Sequence, residues 1–248
     1  MLYLLIILAT LSTALISGLF SMAGGMILMG VFGFILSVPA AMVLHGVAQT
    51  FSNGSRIWIY RRDVRWWTLL PYSLGALLVL AVFVAVSFVP PIGLVFLLIG
   101  IFPFVALRLP ESINLNMERP AVAVFCGVIV TLAQMLAGAS GPILDAFYNR
   151  SNLTRQEILG TKAVTQTFGH ILKLGYYALL IGAASNEIPV WLVPAVVVAA
   201  IGGNYLASFL VMRITDHQFR RVGRYLILVI GVIYIGKGVF ELMPGIAG

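Results

Sequence analysis

Acidic charge is what this chain has least of. Eight Asp and Glu stand against 15 Lys and Arg in 248 residues, and charged residues make up 9% of the sequence, where a soluble domain carries about 25%. A single cysteine, Cys126, excludes an intrachain disulfide and any cysteine-pair metal or redox centre. The three histidines are scattered at positions 45, 170 and 217, the first two with no Asp or Glu beside them. Metal binding is therefore disfavoured, and neither a metal nor a cofactor is expected. His-Glu-x-x-His, a nucleophile elbow, a phosphate loop and paired carboxylates within an apolar segment are all missing, so an enzyme is not expected.

Apolar residues take the place of charge. They form 61% of the chain, with a mean hydropathy of +1.06, in long runs separated by short polar loops. Such runs form membrane-spanning helices; a transmembrane barrel would show alternating strands of about ten residues. The run Met1 to Phe20 lacks a basic n-region and an Ala-x-Ala-like cleavage site, so it reads as a retained helix and not as a signal peptide.

The excess of +7 could speak for nucleic acid, but the arginines fall in the loops: Arg61, Arg62 and Arg65; Arg108 and Arg119; Arg150 and Arg155; Arg213, Arg220, Arg221 and Arg224. Basic loops stay on the cytoplasmic side. The expectation is a multi-pass protein of the cytoplasmic (inner) membrane with all four loops inside and the lipid bilayer, not nucleic acid, as its surroundings.

Apolar segments run from Leu2 to Phe20, Gly25 to Leu36, Ala40 to Tyr60, Trp67 to Phe88 and Ile92 to Leu107, then from Pro120 to Ala137, Pro142 to Tyr148, Ile158 to Ala183, Pro189 to Met212 and Tyr225 to Leu242. The second of each five is too short to cross about 30 Å of hydrocarbon alone. The predicted fold is an all-α polytopic membrane protein of two inverted-topology repeats, about five segments each, the first two of each repeat forming a broken or re-entrant helical hairpin. Residues 1–107 form the N-terminal repeat, 108–119 a cytoplasmic linker and 120–248 the C-terminal repeat. The basic run at Arg61 to Arg65 has as its counterpart Ala183 to Ile188, which carries Glu187 and no Lys or Arg, as inversion requires.

A matched pair of polar stripes carries the functional reading. His45, Gln49, Asn53 and Arg56 recur 117 residues later as Lys162, Gln166, His170 and Lys173, both with spacings of four, four and three. Each set occupies one helix face, and polar side chains turned to hydrocarbon are costly. Upstream of each stripe lies a small-residue break, Ser21 to Leu28 and Leu136 to Leu144, aligned at a spacing of 116. Glycine, as at Gly24 and Gly25, lets the chain leave helical geometry, and Pro142 suits the first residue of a new helix with Ser140 or Gly141 as its cap; such a helix starts with its positive end and free N–H groups exposed. Close helix packing is the other use of such residues.

Donor-rich stripes facing helix starts suit an oxyanion. The substrate-binding candidates are Gly24, Gly25, His45, Gln49, Asn53, Ser140, Gly141, Lys162, Gln166, His170 and Lys173. Arg56 has snorkelling as an alternative, Lys162 has snorkelling or pairing with Asp145, and both glutamines have a structural interhelical hydrogen bond. His45 and His170 could take up a proton during transport, or serve only as interior hydrogen-bonding groups. Thr50, Phe51, Thr167 and Phe168 read as packing beside the site, Met22, Met26 and Met29 as a packing stripe, and Lys237 as a snorkelling residue.

With Gly18-Leu19-Phe20, Ala23-Gly24-Gly25, Pro39-Ala40-Ala41, the stripe and its degenerate second copy, almost the whole chain resembles the TauE/SafE family of sulfite exporters. The resemblance implies a permease for sulfite, sulfonates or related organosulfur anions without ATP-binding domains. The breaks depart from the family's glycine-richer run, with Ser21-Met22 in the first and Ala139-Ser140 in the second. The expected function is secondary transport of a small sulfur-containing anion by alternating access around a midplane site, with proton or ion coupling as an option. The alternatives are an anion channel or a transporter of a non-sulfur organic anion. A structural scaffold would explain the helices but not the duplicated stripes, and substrate, direction and oligomeric state are not legible.

Overall fold

The computed structural model describes residues 1–20, 23–110, 113–180, 187–210 and 216–243. Among them there is helix and no strand, in the order α1 (Leu2–Phe20), α2 (Ala23–Ile35), α3 (Val38–Ile59), α4 (Leu69–Val86), α5 (Ile92–Arg108), α6 (Pro120–Ala137), α7 (Gly141–Tyr148), α8 (Arg155–Gly175), α9 (Leu192–Leu210) and α10 (Asp216–Leu242). Ser21 and Met22 of the first break, residues 183–186 and Arg213 lie outside the described residues.

Among the described residues five helices are long and apolar enough to cross a membrane: α1, α4 with its preceding short turn, α6, α9 and the Arg221–Leu242 part of α10. The two stripe helices, α3 and α8, are as long but too polar for that description. They are wrapped by the others instead and pack on one another at the centre. There a Cβ on Gly46 would come 3.3 Å from the Cβ of Leu174.

Local signals set the helix ends. Ser37 caps α3, its side chain accepting from the Ala40 N–H, with a proline in the first turn. Thr154 and Glu157 form a reciprocal capping box that starts α8 at Arg155, three residues before its apolar run. The Thr154 backbone N–H, donating to Glu157, holds that carboxyl below its usual range. α6 ends at Gly138, whose φ of 76° is left-handed and whose N–H returns to the Gln134 carbonyl. α10 begins at Asp216, nine residues before the apolar run, because its first turns are polar and lie beyond the segment that hydropathy marks.

Three further helix pairs pack closely: α1 on α9, α6 on α4, and α5 on α10. Glycines allow the close approaches that hold membrane helices together without a hydrophobic drive. A Cβ on Gly127 would lie 2.1 Å from the Tyr72 carbonyl oxygen, and one on Gly75 the same distance from that of Val124. On the other side Gly203 faces the Leu11 carbonyl and Gly18 the Ala207 side chain in the same way.

Contacts between loops sort the helix ends onto two sides. Ser37 N–H donates to Glu187, Tyr176 OH to the Phe88 carbonyl, and Tyr3 stacks edge-on against Trp191. On the opposite, arginine-rich side Arg65 pairs with Glu157, its N–H donates to Thr161, and Arg150 donates to the carbonyls of Leu109 and Ile113. α3 therefore runs from the first side to the second and α8 runs back.

Gly127→Val should force α4 and α6 apart and lower stability by about 1–3 kcal/mol, read as thermal unfolding of the detergent-solubilised protein. Gly54→Ala, with nothing within 4 Å of the added carbon, should stay within about 0.5 kcal/mol of the native protein.

Candidate functional site

The two breaks meet at the centre. A small cavity there is lined by Ser17 of α1, Gly25 and Met26 of α2, His45 and Gln49 of α3, Ala139 and Ser140 of the second break, Gly141 of α7, and Gln166 and His170 of α8. Its volume is about 10 Å³, room for roughly one water-sized group.

Seven of the eleven residues singled out in the sequence reach this cavity: Gly25, His45, Gln49, Ser140, Gly141, Gln166 and His170. Gly25 faces Gln49, whose Oε1 would be 3.5 Å from an added Cβ. Gly24 turns the other way and lets α2 pack on α1, where a Cβ would strike the Thr13 carbonyl oxygen at 2.0 Å. Asn53 is buried one turn behind, donating to the Gln49 carbonyl at 2.9 Å and reaching its Oε1 at 3.5 Å. Lys162 is bound to Asp145 of α7.

Lys173 lies behind the cavity wall and joins the two breaks. Its Nζ donates to the Gly138 carbonyl at 2.9 Å and to His45 Nδ1 at 2.9 Å. With Nδ1 accepting, the His45 ring carries its proton on Nε2, which donates to the Gly25 carbonyl at 2.9 Å. One cation thus satisfies a carbonyl at the C-terminal, negative end of α6 and orients a ring that holds α2. His45 and His170 stand edge to face, ring centroids 5.4 Å apart.

Arg56 does not snorkel. It is 6% exposed, donating from Nη2 to Ser17 at 2.8 Å and from Nε to Asn204 of α9 at 3.3 Å. Asn204 in turn donates to the Ser52 carbonyl and hydroxyl and to Ser55. Lys237 pairs with Glu241, and Met26 and Met29 belong to the apolar core.

Three participants had no place among the candidates. Ser17 lines the cavity, Gln134 of α6 lies 3.4 Å from His170 Nε2, and Asn204 anchors Arg56. Each is a polar residue in an otherwise apolar segment, which is a signal in sequence; Ser17 and Gln134 even stand 117 residues apart.

The arrangement leaves polar groups at the cavity without partners. Ser140 Oγ and His170 Nδ1 are buried and have no partner within the protein. Ser140 caps α7 by position only, its hydroxyl making no bond to the first turn. α7 begins at the cavity and α2 brings its first turn there, so two positive helix ends point to one place. Among the buried, described residues three cations, Arg56, Lys162 and Lys173, stand against one carboxylate, Asp145. Such an excess in a low-dielectric interior is costly unless an anion offsets it. No cluster that could hold a metal ion occurs among the described residues.

The family model described as "Sulfite exporter TauE/SafE" matches residues 5–234. No curated protein and no solved structure matches the chain.

Lys173→Met should leave the Gly138 carbonyl and His45 Nδ1 without their donor. Each buried group so orphaned costs about 1–3 kcal/mol, and the protein should melt at a clearly lower temperature in detergent. A melting temperature equal to the native one would remove the bridge from any structural role.

Proposed function

Because the chain belongs to the TauE/SafE family of sulfite exporters, we propose that it is a secondary transporter that carries a small sulfur-containing anion, of the sulfite or organosulfonate class, by alternating access around the central cavity. The family is one of membrane transporters and not of enzymes, and the apolar helices make the chain a multi-pass membrane protein. The observation that carries the finer reading is the convergence of both breaks and both polar stripes on one cavity.

The anion is held by Gln49, Gln166, His170, Ser140 and the first turns of α2 and α7. Amide, hydroxyl and backbone N–H groups suit a pyramidal oxyanion because they donate in several directions without adding fixed charge. Arg56, Lys162 and Lys173 supply positive potential from behind that first layer. A trigonal SO₃ group needs more room than about 10 Å³, so the helices around the cavity must move apart to admit it.

Two inverted-topology repeats, residues 1–107 and 120–248 about the linker 108–119, provide that motion. The packing pattern supports them. The first helix of each repeat lies on the fourth of the other, α1 on α9 and α6 on α4, while the equivalent helices α3 and α8, and α5 and α10, lie on one another. That is the arrangement a pseudo-two-fold axis through the cavity produces. α3 and α8 also run in opposite directions between the two loop sides. The arginine-rich side is the cytoplasmic one, in a cytoplasmic (inner) membrane.

Radiolabelled sulfite flux into proteoliposomes tests the reading. A carrier should give saturable flux that unlabelled sulfite on the far side accelerates; a channel would carry anion current without such acceleration, and preference for a carboxylate would shift the substrate class. Gln166→Leu should insert normally and weaken sulfite binding by roughly ten- to a hundredfold, the worth of a hydrogen bond to a charged group. Undiminished flux in that variant would remove Gln166 from the site.

A further inference from the structure

We infer that Asp145 is the group that takes up a proton when the anion binds, acting in the empty site as an internal stand-in for the substrate on Lys162. This rests on the anion-transport reading above and adds its coupling.

Asp145 is the only buried carboxylate among the described residues. It lies one helical turn beyond Gly141 on α7, and Lys162 lies one turn before Gln166 on α8. Both Gly141 and Gln166 line the cavity, so the ion pair Asp145–Lys162 sits directly beneath it, toward the arginine-rich side. One carboxylate oxygen holds Lys162; the other, Oδ2, is buried with no hydrogen-bond partner in the protein. That oxygen is positioned to carry a proton.

The charged groups around the carboxylate are few. From α8 Lys162 faces it directly, and from α3 Arg56 acts on it through space. Its own helix adds Tyr148, whose hydroxyl meets Thr165, and α6 brings Cys126 near that tyrosine. α2 carries no charged residue, and α5 carries none before Arg108 at its end. Lys173, the remaining buried cation, is turned to His45 and Gly138.

An anion entering the cavity competes with the carboxylate for the same ammonium. Two anions on one buried cation repel strongly at low dielectric. Lys162 turns its Nζ toward the anion, Asp145 Oδ2 takes a proton from the aqueous side, and the carboxyl stays in place as a neutral group. Lys162 remains protonated throughout, so one proton enters for each anion bound. The same exchange opens the ion pair that closes the cavity toward the arginine-rich side. The position that matches Lys162 in the first stripe is His45, held by Lys173 and Gly25, and no carboxylate faces it among the described residues. The device therefore exists on one side only. His45, with both nitrogens engaged, is not needed as the proton carrier.

The test is calorimetric binding of sulfite and of thiosulfate to the purified full-length protein, repeated in buffers of different ionisation enthalpy so that protons are counted. Comparing native protein with Asp145→Asn on the same anion at the same pH cancels the anion's own protonation. The native protein should take up about one proton more per bound anion than D145N. Its affinity for thiosulfate, which does not titrate near neutrality, should strengthen by up to about tenfold per unit fall in pH, while that of D145N should be flat. Equal proton counts in both proteins would overturn the inference while leaving anion binding intact. Binding of neither anion by the native protein would overturn the transport reading, and this inference with it. Should D145N fail to fold, infrared difference spectra of the native protein decide: a carbonyl band of a protonated carboxyl must appear on anion addition, and its absence overturns the inference.

Discussion

A buried amine must find acceptors, and Lys173 finds them at the two places where the helices are broken. Its bonds to the Gly138 carbonyl and to His45, and the bond from His45 to Gly25, tie the end of α6 to the first turn of α2 through the central helices. Without such a link the Gly138 carbonyl at the end of α6 would lose its buried donor, at about 1–3 kcal/mol. The cavity exists because these breaks are held facing one another. Irregular backbone is tolerated at membrane depth only where protein or a polar cavity receives it, and the second break lines such a cavity.

Much of this was legible because membrane folding leaves blunt marks. The five apolar helices long enough to cross, the short α2 and α7, and the 3.6-residue stripe of His45, Gln49, Asn53 and Arg56 follow from periodicity and segment length. Capping explains where that reading was less sharp. Thr154 and Glu157 start α8 before its apolar run, and the polar first turns of α10 carry no hydropathy signal. The stripes also could not say which of their members face the cavity. His45 and Lys162 occupy matched positions, yet one lines the cavity and the other turns to Asp145, because only the second half places a carboxylate within reach. Ser17, Gln134 and Asn204 were overlooked for a different reason: none belongs to a repeated stripe, and an isolated amide or hydroxyl in a mostly apolar helix announces a partner without naming it.

Arg56 illustrates how partners change a reading. Its place near the end of α3 allowed it to reach the loop, and a long side chain usually does so. Ser17 and Asn204 hold the guanidinium inside instead, at a desolvation cost that two neutral hydrogen bonds do not offset. A buried cation that is held and not paired adds potential to its surroundings. Together with Lys162 and Lys173 it leaves the buried, described residues two charges positive of neutral by side-chain count, which is the electrostatic counterpart of the polar groups lining the cavity.

The two halves are therefore alike in hydrogen bonding and unlike in charge. Gln49 and Gln166 face the cavity from both stripes, and a helix begins there in each half. Such a lining would hold an anion equally well whichever side it came from, as repeats related by an axis through the site imply. Asp145 breaks the equivalence. Under the proposed transport reading, an ion pair below the cavity would make departure toward the arginine-rich side depend on reforming a bond between Lys162 and a carboxylate, whereas the opposite side would depend on the His45 bridge. Direction in a carrier comes from differences in free energy between its states and the gradients that drive them, not from symmetry of the lining. Under the proposed reading that difference would be concentrated in one carboxylate, the single acidic group the interior retains among the described residues.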